Sequence, residues 1–91
     1  MERHDLAQVG LPMTLDTLPK GAHAIISQVV ARMKDDPIAT RLGELGFIPG
    51  APVEIVATGP VGHDPIAVRL GSTCFALRRG EASRITLEHD L

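Results

Sequence analysis

A tight hairpin near the C-terminal end of the chain limits the possible folds more than any other feature. Two short apolar segments flank the dipeptide Gly71-Ser72. A two-residue loop that begins with Gly is typical of a β-hairpin. Pairing across this loop places apolar side chains opposite one another on a single face, which predicts an antiparallel sheet with one buried side. The expected pairs on that face are Leu70 with Thr73, Val68 with Phe75, and Ile66 with Leu77.

Other segments alternate in hydropathy with the two-residue period of a strand. In the first of them, Ala24 and Ile26 share a face, and Val29 returns to it only past a β-bulge. In the second, Ala57 is expected on the inner face with Val53 and Ile55. The five expected strands are 22–30, 53–58, 66–70, 73–78 and 83–87. An extended loop over 59–65 and one helical turn over 79–82 are expected between them.

A short helix is expected between the first two strands. Asp36 is a good N-cap residue, and Pro37 suits the first helical position because its missing N–H has no helical partner there. Gly46 stands where a left-handed residue would end the helix. Gly43, inside the helix, is expected to mark a close approach of another backbone. The stripe expected to face the core, at helical spacing, is Ile38, Leu42 and Leu45.

These elements predict a mainly β protein with a single core. A chain of 91 residues buries roughly two-thirds of its unfolded surface, which is enough for one domain. A sheet of so few strands leaves exposed edges unless it curls and closes. The expected fold is therefore a small SH3-like β-barrel of about five strands, with one short α-helix inserted after the first strand.

Composition excludes several classes of function. The formal net charge is −2, and the basic residues of the C-terminal half (Arg69, Arg78, Arg79 and Arg84) stand among acidic ones. A solvated mixed face is therefore expected there, and nucleic-acid binding is not. The chain has no Trp or Tyr, so it cannot build the aromatic groove that holds proline-rich peptides. With no signal peptide or membrane-spanning run visible, the expected location is the cytoplasm.

Motifs for catalysis and for metal binding are sparse. The chain contains no phosphate-binding glycine loop and no nucleophile elbow, so an enzyme is not expected. Its one cysteine, Cys74, is interpreted as a small residue on a sheet face. His63-Asp64 is the best local pair of metal ligands. Adjacent side chains in an extended segment point apart, so binding there would need a turn and further ligands.

The segment 41–50, Arg-Leu-Gly-Glu-Leu-Gly-Phe-Ile-Pro-Gly, resembles the signature of the FeoA family, small cytosolic proteins of bacterial ferrous iron uptake. Supporting pieces occur in the family's order, from Leu18-Pro19-Lys20-Gly21 through Phe75-Ala76-Leu77-Arg78 to Ile85. The resemblance covers residues 13–88. It leaves 1–12 as an N-terminal extension, expected to be flexible, and 89–91 as a short tail. The long loop, Pro60 to Pro65, is one residue longer than the family's usual pattern.

The resemblance implies an SH3-like domain that is not an enzyme and requires no cofactor. Such proteins act with FeoB, a membrane iron transporter with a cytosolic GTPase region, which would bring this chain to the inner membrane through its partner. The module also resembles the C-terminal domains of iron- and manganese-dependent repressors, but the chain lacks their DNA-binding half. Whether the chain self-associates is left open.

The helix and the residue that follows its C-cap are the expected places of contact with a partner. The candidates are Arg41, Glu44 and Phe47; the alternatives are a solvated helix face for Arg41 and a lid over the barrel end for Phe47. The remaining motif residues, Leu42, Gly46, Pro49, Gly50 and Leu77, are expected to be mainly structural. An alternative function is a small domain that binds or senses Fe²⁺ or another transition metal, with His63 and Asp64 as the candidate ligands.

Overall fold

The structure, a computed structural model, describes residues 13–62 and 64–88. The expectations for the extension 1–12, for His63 and for the tail 89–91 lie outside the described residues.

The described residues form one antiparallel sheet with two short helices. Its strands are β1 (Met13–Thr14), β2 (His23–Val29), β3 (Pro52–Val61), β4 (Asp64–Leu70), β5 (Thr73–Leu77) and β6 (Ile85–Leu87). Helix α1 (Pro37–Leu45) lies between β2 and β3, helix α2 (Arg79–Ala82) lies between β5 and β6, and a 3-10 turn (Leu15–Thr17) follows β1. The order of strands across the sheet is β1-β6-β2-β3-β4-β5.

The predicted fold class is confirmed: the protein is mainly β, with one helix of more than a single turn inserted after the first predicted strand. The sheet has six described strands rather than about five, because Met13 and Thr14 pair with Leu87 and Thr86. A two-residue strand is too short to show the alternation by which the other strands were predicted. Between the two outermost strands, β1 and β5, no pairing occurs among the described residues, so backbone hydrogen bonds do not close the barrel there.

The hairpin of β4 and β5 has the predicted register at every pair, from Ile66 opposite Leu77 to Leu70 opposite Thr73. Val68 and Leu77 are buried on the inner face. The apolar alternation and the two-residue loop require the same register, which is why this part of the prediction was accurate.

The predicted loop over 59–65 is wrong, because β3 continues to Val61 and β4 begins at Asp64. Ala57 is also exposed rather than inward. The ladder shifts register between Ile55 and Ala57, so the side chains beyond that bulge exchange faces. Pairing there continues with Thr58 opposite Ile66.

The predicted bulge in β2 is confirmed. The β2–β6 register shifts between Ile26 and Gln28, and Val29 beyond it packs against the core. The 3-10 turn contributes Leu15, which is fully buried. The buried apolar residues form one cluster, to which the sheet, the 3-10 turn and both helices contribute: Leu15, Ile26, Leu42, Phe47, Val53, Ile55, Ile66, Val68, Leu77, Ala82, Ile85 and Leu87.

Helix α1 begins and ends as predicted. The side chain of Asp36 accepts a hydrogen bond from the backbone N–H of Ile38, and Gly46 ends the helix in the left-handed region with φ 112°. Two expectations for this helix are wrong. Leu45 is 39% exposed. Of the predicted stripe, only Leu42 is buried and Ile38 packs against the core. Gly43 meets no close backbone, since a Cβ built there would have no atom within 4 Å.

No helix in the described ranges is long and apolar enough to span a membrane.

Candidate functional site

A buried ion pair holds the N-terminal end of α1 against the C-terminal part of the domain. Arg84 Nε donates to Asp36 Oδ2 at 2.7 Å, and the two side chains are 8% and 0% exposed. The same oxygen accepts from the backbone N–H of Arg32 at 2.9 Å. The hydrogen bond from Arg84, together with that of Arg32, lowers the pKa of Asp36 from 3.8 to about 2. The carboxylate is therefore ionised over the physiological range.

The expected solvated position of Arg84 is thus wrong. Besides forming the ion pair, the Arg84 guanidinium donates to the carbonyl oxygen of Gly80 at 2.7 Å. The backbone oxygen of Arg84 accepts a hydrogen bond from the backbone N–H of Val30. No local pattern links it to Asp36, which lies 48 residues earlier. The N-cap position of Asp36 was visible in the sequence, but its distant partner was not.

The C-terminal end of α1 directs the chain into the hydrophobic core. The N–H of Phe47 donates to the carbonyl oxygen of Leu42 at 3.0 Å, which satisfies a carbonyl that the helix leaves free at its end. The ring of Phe47 is 1% exposed and lies 5.5 Å from the ring of Phe75, at an interplanar angle of 59°. Phe47 therefore lies within the core beneath the helix end, as its lid alternative describes, and does not reach a partner in this conformation.

The other motif residues form the turn after α1 or pack in the core near it. Pro49 and Gly50 occupy a turn in which Ala51 N–H donates to the oxygen of Ile48 at 3.1 Å, and Gly50 has φ 90°. This geometry is a type II turn, as the Pro-Gly pair predicts. Leu42 and Leu77 are buried core residues, and a Cβ on Gly46 would approach a methyl group of Leu70 to 3.1 Å. We infer that the motif residues buried here act on the fold.

Arg41 and Glu44 lie on the outer side of α1. Arg41 is 57% exposed and forms an ion pair at 2.7 Å with Glu81, the third residue of α2. The other oxygen of Glu81 accepts the backbone N–H of Arg78 at 2.8 Å. Because one oxygen of Glu81 is bound by the backbone of Arg78, its other oxygen holds the Arg41 guanidinium at the junction of the two helices. Glu44 is exposed.

Two exposed apolar residues adjoin these charges. Leu45 is 39% exposed and Ile48, just beyond the helix, is 52% exposed. Arg41, Glu44 and Leu45 share a side of the helix by their spacing. We call these four residues, Arg41, Glu44, Leu45 and Ile48, the α1 surface. The sequence identified the charged pair but not the apolar pair, because Leu45 was assigned to the core.

Of the two expected metal ligands, the structure describes only Asp64. His63 lies outside the described residues. Asp64 Oδ1 accepts the backbone N–H of Arg79 at 3.1 Å, and the Arg79 guanidinium donates to the oxygen of Gly62 at 3.2 Å. Asp64 thus ties the β3–β4 hairpin to α2. Across 13–62 and 64–88, no group of three or more His, Cys, Asp or Glu side chains could hold a metal ion.

Sequence reasoning did not predict one groove of the described surface. It has a volume of about 610 Å³ and lies beside the C-terminal end of β6, between β1 and the start of β2. Its apolar lining includes Met13, Leu18, Ile25 and Leu87, and Glu88 lies at the same place. The lining comes from residues far apart in the chain, so no contiguous motif could have predicted it.

Comparison with known proteins places the fold. A family model described as the FeoA domain matches residues 13–89. FeoA of Stenotrophomonas maltophilia, solved in complex with zinc, is 46% identical; the match covers 84% of this chain and 89% of that chain, with a TM-score of 0.78. A FeoA-like protein from Clostridium acetobutylicum is 26% identical, with 88% of each chain covered and a TM-score of 0.74.

A more distant likeness concerns the fold alone. IdeR of T. acidophilum is 23% identical; the match covers 87% of this chain and 34% of that one, with a TM-score of 0.70. Among curated proteins, none matches the chain. The family model spans most of the chain, and the Stenotrophomonas structure shares its fold over most of both sequences. The chain belongs to the FeoA domain family.

Proposed function

We propose that this chain is an accessory protein of bacterial ferrous iron uptake that acts by binding a partner and not by catalysis. Its membership of the FeoA domain family supports the link to iron uptake. The proposed role needs no resident metal, because Fe²⁺ is the cargo of the transporter. The proposed location is the cytoplasm, with access to the inner membrane through the partner.

The proposed partner is the cytosolic GTPase region of a FeoB-like transporter, and the proposed contact is the α1 surface. The observation that carries this choice is the exposure of Leu45 and Ile48 beside a charge held in place by Glu81. Exposed apolar side chains bordered by charged ones are typical of sites that bind another protein. The fixed position of Arg41 lowers the entropy lost when a partner binds.

Binding of the purified full chain to the cytosolic region of the transporter tests the proposal. Calorimetry is done with the GTPase region in its GDP form and in a GTP-analogue form. The variant I48D introduces a charge in the α1 surface and is expected to weaken binding at least tenfold, about 1.4 kcal/mol.

The matched control is V61D, because Val61 is also an exposed apolar residue, at 79%, but ends strand β3 and is not part of the α1 surface. This variant is expected to bind like the wild type. Equal weakening by the two variants would move the contact away from the α1 surface. No association of the wild-type chain with either nucleotide form would refute the partnership itself.

A further inference from the structure

Strand β5 lies at one edge of the sheet and pairs only with β4 among the described strands. Its five residues, Thr73–Leu77, include no proline and no charged side chain. Natural proteins usually place one of these on an exposed edge, because the free N–H and C=O groups there bind other strands. At the opposite edge, β1 has only two residues. The edge of β5 is therefore the longer of the two and is open to the addition of a strand.

The backbone groups that β5 directs outward belong to Cys74 and Ala76. The residues that flank a two-residue hairpin loop, here Leu70 and Thr73, exchange hydrogen bonds with each other. Bonding alternates along an antiparallel pair, so Phe75 bonds to β4 and its two neighbours do not. The N–H and C=O groups of Cys74 and Ala76 consequently point away from β4, and both residues are exposed.

The open part of this edge ends at Leu77. The N–H of Arg78 donates to Glu81 Oε1 at 2.8 Å. The carbonyl oxygen of Arg78 accepts from the N–H groups of Glu81 and Ala82, at 3.0 and 2.9 Å. These bonds begin α2 and use the backbone groups of Arg78. The edge of β5 thus offers two donors and two acceptors, all on Cys74 and Ala76.

These four groups are complementary to the same four groups on a second copy of the chain. A two-fold axis through Phe75 places Cys74 of each copy opposite Ala76 of the other, so every outward group meets a partner. Phe75 is half-buried and packs against the core. The same axis brings its ring against Phe75 of the second copy, beside the buried Val68 of each core. The inner face of the joined sheet is therefore apolar across the contact.

The charges near β5 agree with this register. Arg78 comes to lie opposite Ser72 of the second copy, and Arg79 opposite Gly71 of the second copy, so neither guanidinium faces a like charge. On the outer face, Arg69 lies beside Cys74 and is paired with Glu54 at 2.8 Å within its own copy. Electrostatic repulsion therefore does not oppose the contact.

We propose that two copies of this chain associate by antiparallel pairing of their β5 strands, centred on Phe75, so that one sheet continues through both. One short strand from each copy forms an interface smaller than the roughly 1,200 Å² of stable complexes. The dimer therefore forms at high protein concentration and dissociates on dilution. The contact uses none of the α1 surface residues and does not depend on the function proposed above.

Sedimentation equilibrium of the full chain over a dilution series tests the association, with a reductant present to keep Cys74 as a free thiol. A76P removes an outward N–H without removing a bond to β4, and it is expected to weaken dimerisation at least about tenfold. The matched control, A76T, keeps that N–H and suits a strand, so it is expected to dimerise like the wild type. The methyl resonances of Val68 and Ile85, which are fully buried in the core, report whether each variant is folded.

NMR of the wild type determines the register without any variant. In a mixture of isotope-labelled and unlabelled chains, a nuclear Overhauser contact is expected between the Hα atoms of Phe75 in the two copies. These residues form a pair without mutual hydrogen bonds, in which the backbones approach most closely. The contact is expected to weaken on dilution together with the dimer.

Three results would overturn the proposal. A monomer at every concentration, with freely exchanging amide protons on Cys74 and Ala76, would leave the edge to an extended segment of another protein. Protection of those amide protons at low concentration would mean that the edge is covered within one chain. Equal dimerisation of A76P and A76T would place the contact between copies on another surface.

Discussion

Replacing Phe47 and Ile48 one at a time separates the core from the proposed binding surface. The two residues are neighbours in the motif, yet Phe47 is 1% exposed and Ile48 is 52% exposed. F47A removes a buried ring that packs at 5.5 Å against Phe75. Truncations of this kind cost about 3–5 kcal/mol, whereas a surface change such as I48A stays within about 0.5 kcal/mol.

Urea unfolding followed by far-ultraviolet circular dichroism measures both free energies. The chain has no Trp or Tyr, so the usual fluorescence signals are absent. With a urea m-value of about 1–2 kcal/mol/M, a loss of about 4 kcal/mol lowers the unfolding midpoint by about 2–4 M. F47L retains most of the apolar volume and loses less, so the series stays measurable if F47A is largely unfolded.

The reasoning is refuted by either of two results. A loss of less than about 1 kcal/mol in F47A would mean that the ring is not part of the core. A loss in I48A similar to that in F47A would mean that Ile48 supports the fold and is not available to a partner. The expected outcome is a large loss of stability for one variant and weakened binding of the partner for the other.

Four further predictions concern stability. D36N removes the charge that Arg84 binds. Because the pKa of Asp36 in the folded protein, about 2, lies below its ordinary value of 3.8, the stabilisation from this carboxylate is present above about pH 4 and disappears as the pH falls through 2. Acid unfolding should therefore show the wild type and D36N converging over that interval. G43A should stabilise the helix by about 0.5–1 kcal/mol, since nothing lies near the new methyl group. G59A should cost about 1–3 kcal/mol, because its Cβ would overlap the backbone at the start of β4; both glycine variants are compared by thermal unfolding. R41A should cost less than about 1 kcal/mol in urea, as is usual for an exposed ion pair.

Different results contradict each of these. A constant gap between the wild type and D36N from pH 5 to pH 2 would show that the lowered pKa is not coupled to folding. A loss of stability in G43A would support the sequence prediction that another backbone lies close to Gly43. An unchanged stability in G59A would show that the β3–β4 hairpin can move to accommodate the methyl group. A loss of several kcal/mol in R41A would make Arg41 a structural residue.

Local patterns in the sequence predicted the elements that local rules determine. The β4–β5 register follows from a two-residue loop and alternating side chains, and the limits of α1 follow from Asp36, Pro37 and Gly46. The errors have one physical source, which is that bulges and packing are set by distant strands. Ala57 changed face at a bulge that nothing in its own segment signals.

The candidate site was predicted only in part for the same reason. Arg41 and Glu44 follow from helical spacing, since a helix has a side away from its apolar stripe. The exposure of Leu45 depends on how far the sheet extends beneath the helix end, which spacing does not determine. The pairing of Asp36 with Arg84, like that of Arg41 with Glu81, joins residues at least 40 positions apart, and one sequence carries no signal for such partners.

One carboxylate joins the start of α1 to the last strand. Asp36 caps the helix through Oδ1, and its Oδ2 receives Arg84, the residue that leads into β6. Unwinding the first turn of the helix would leave the buried Arg84 guanidinium without its carboxylate partner. Detaching β6 would leave the buried Asp36 carboxylate without its guanidinium partner. The two elements should consequently open as one cooperative unit, and their slowest amide protons should exchange with solvent at a shared free energy.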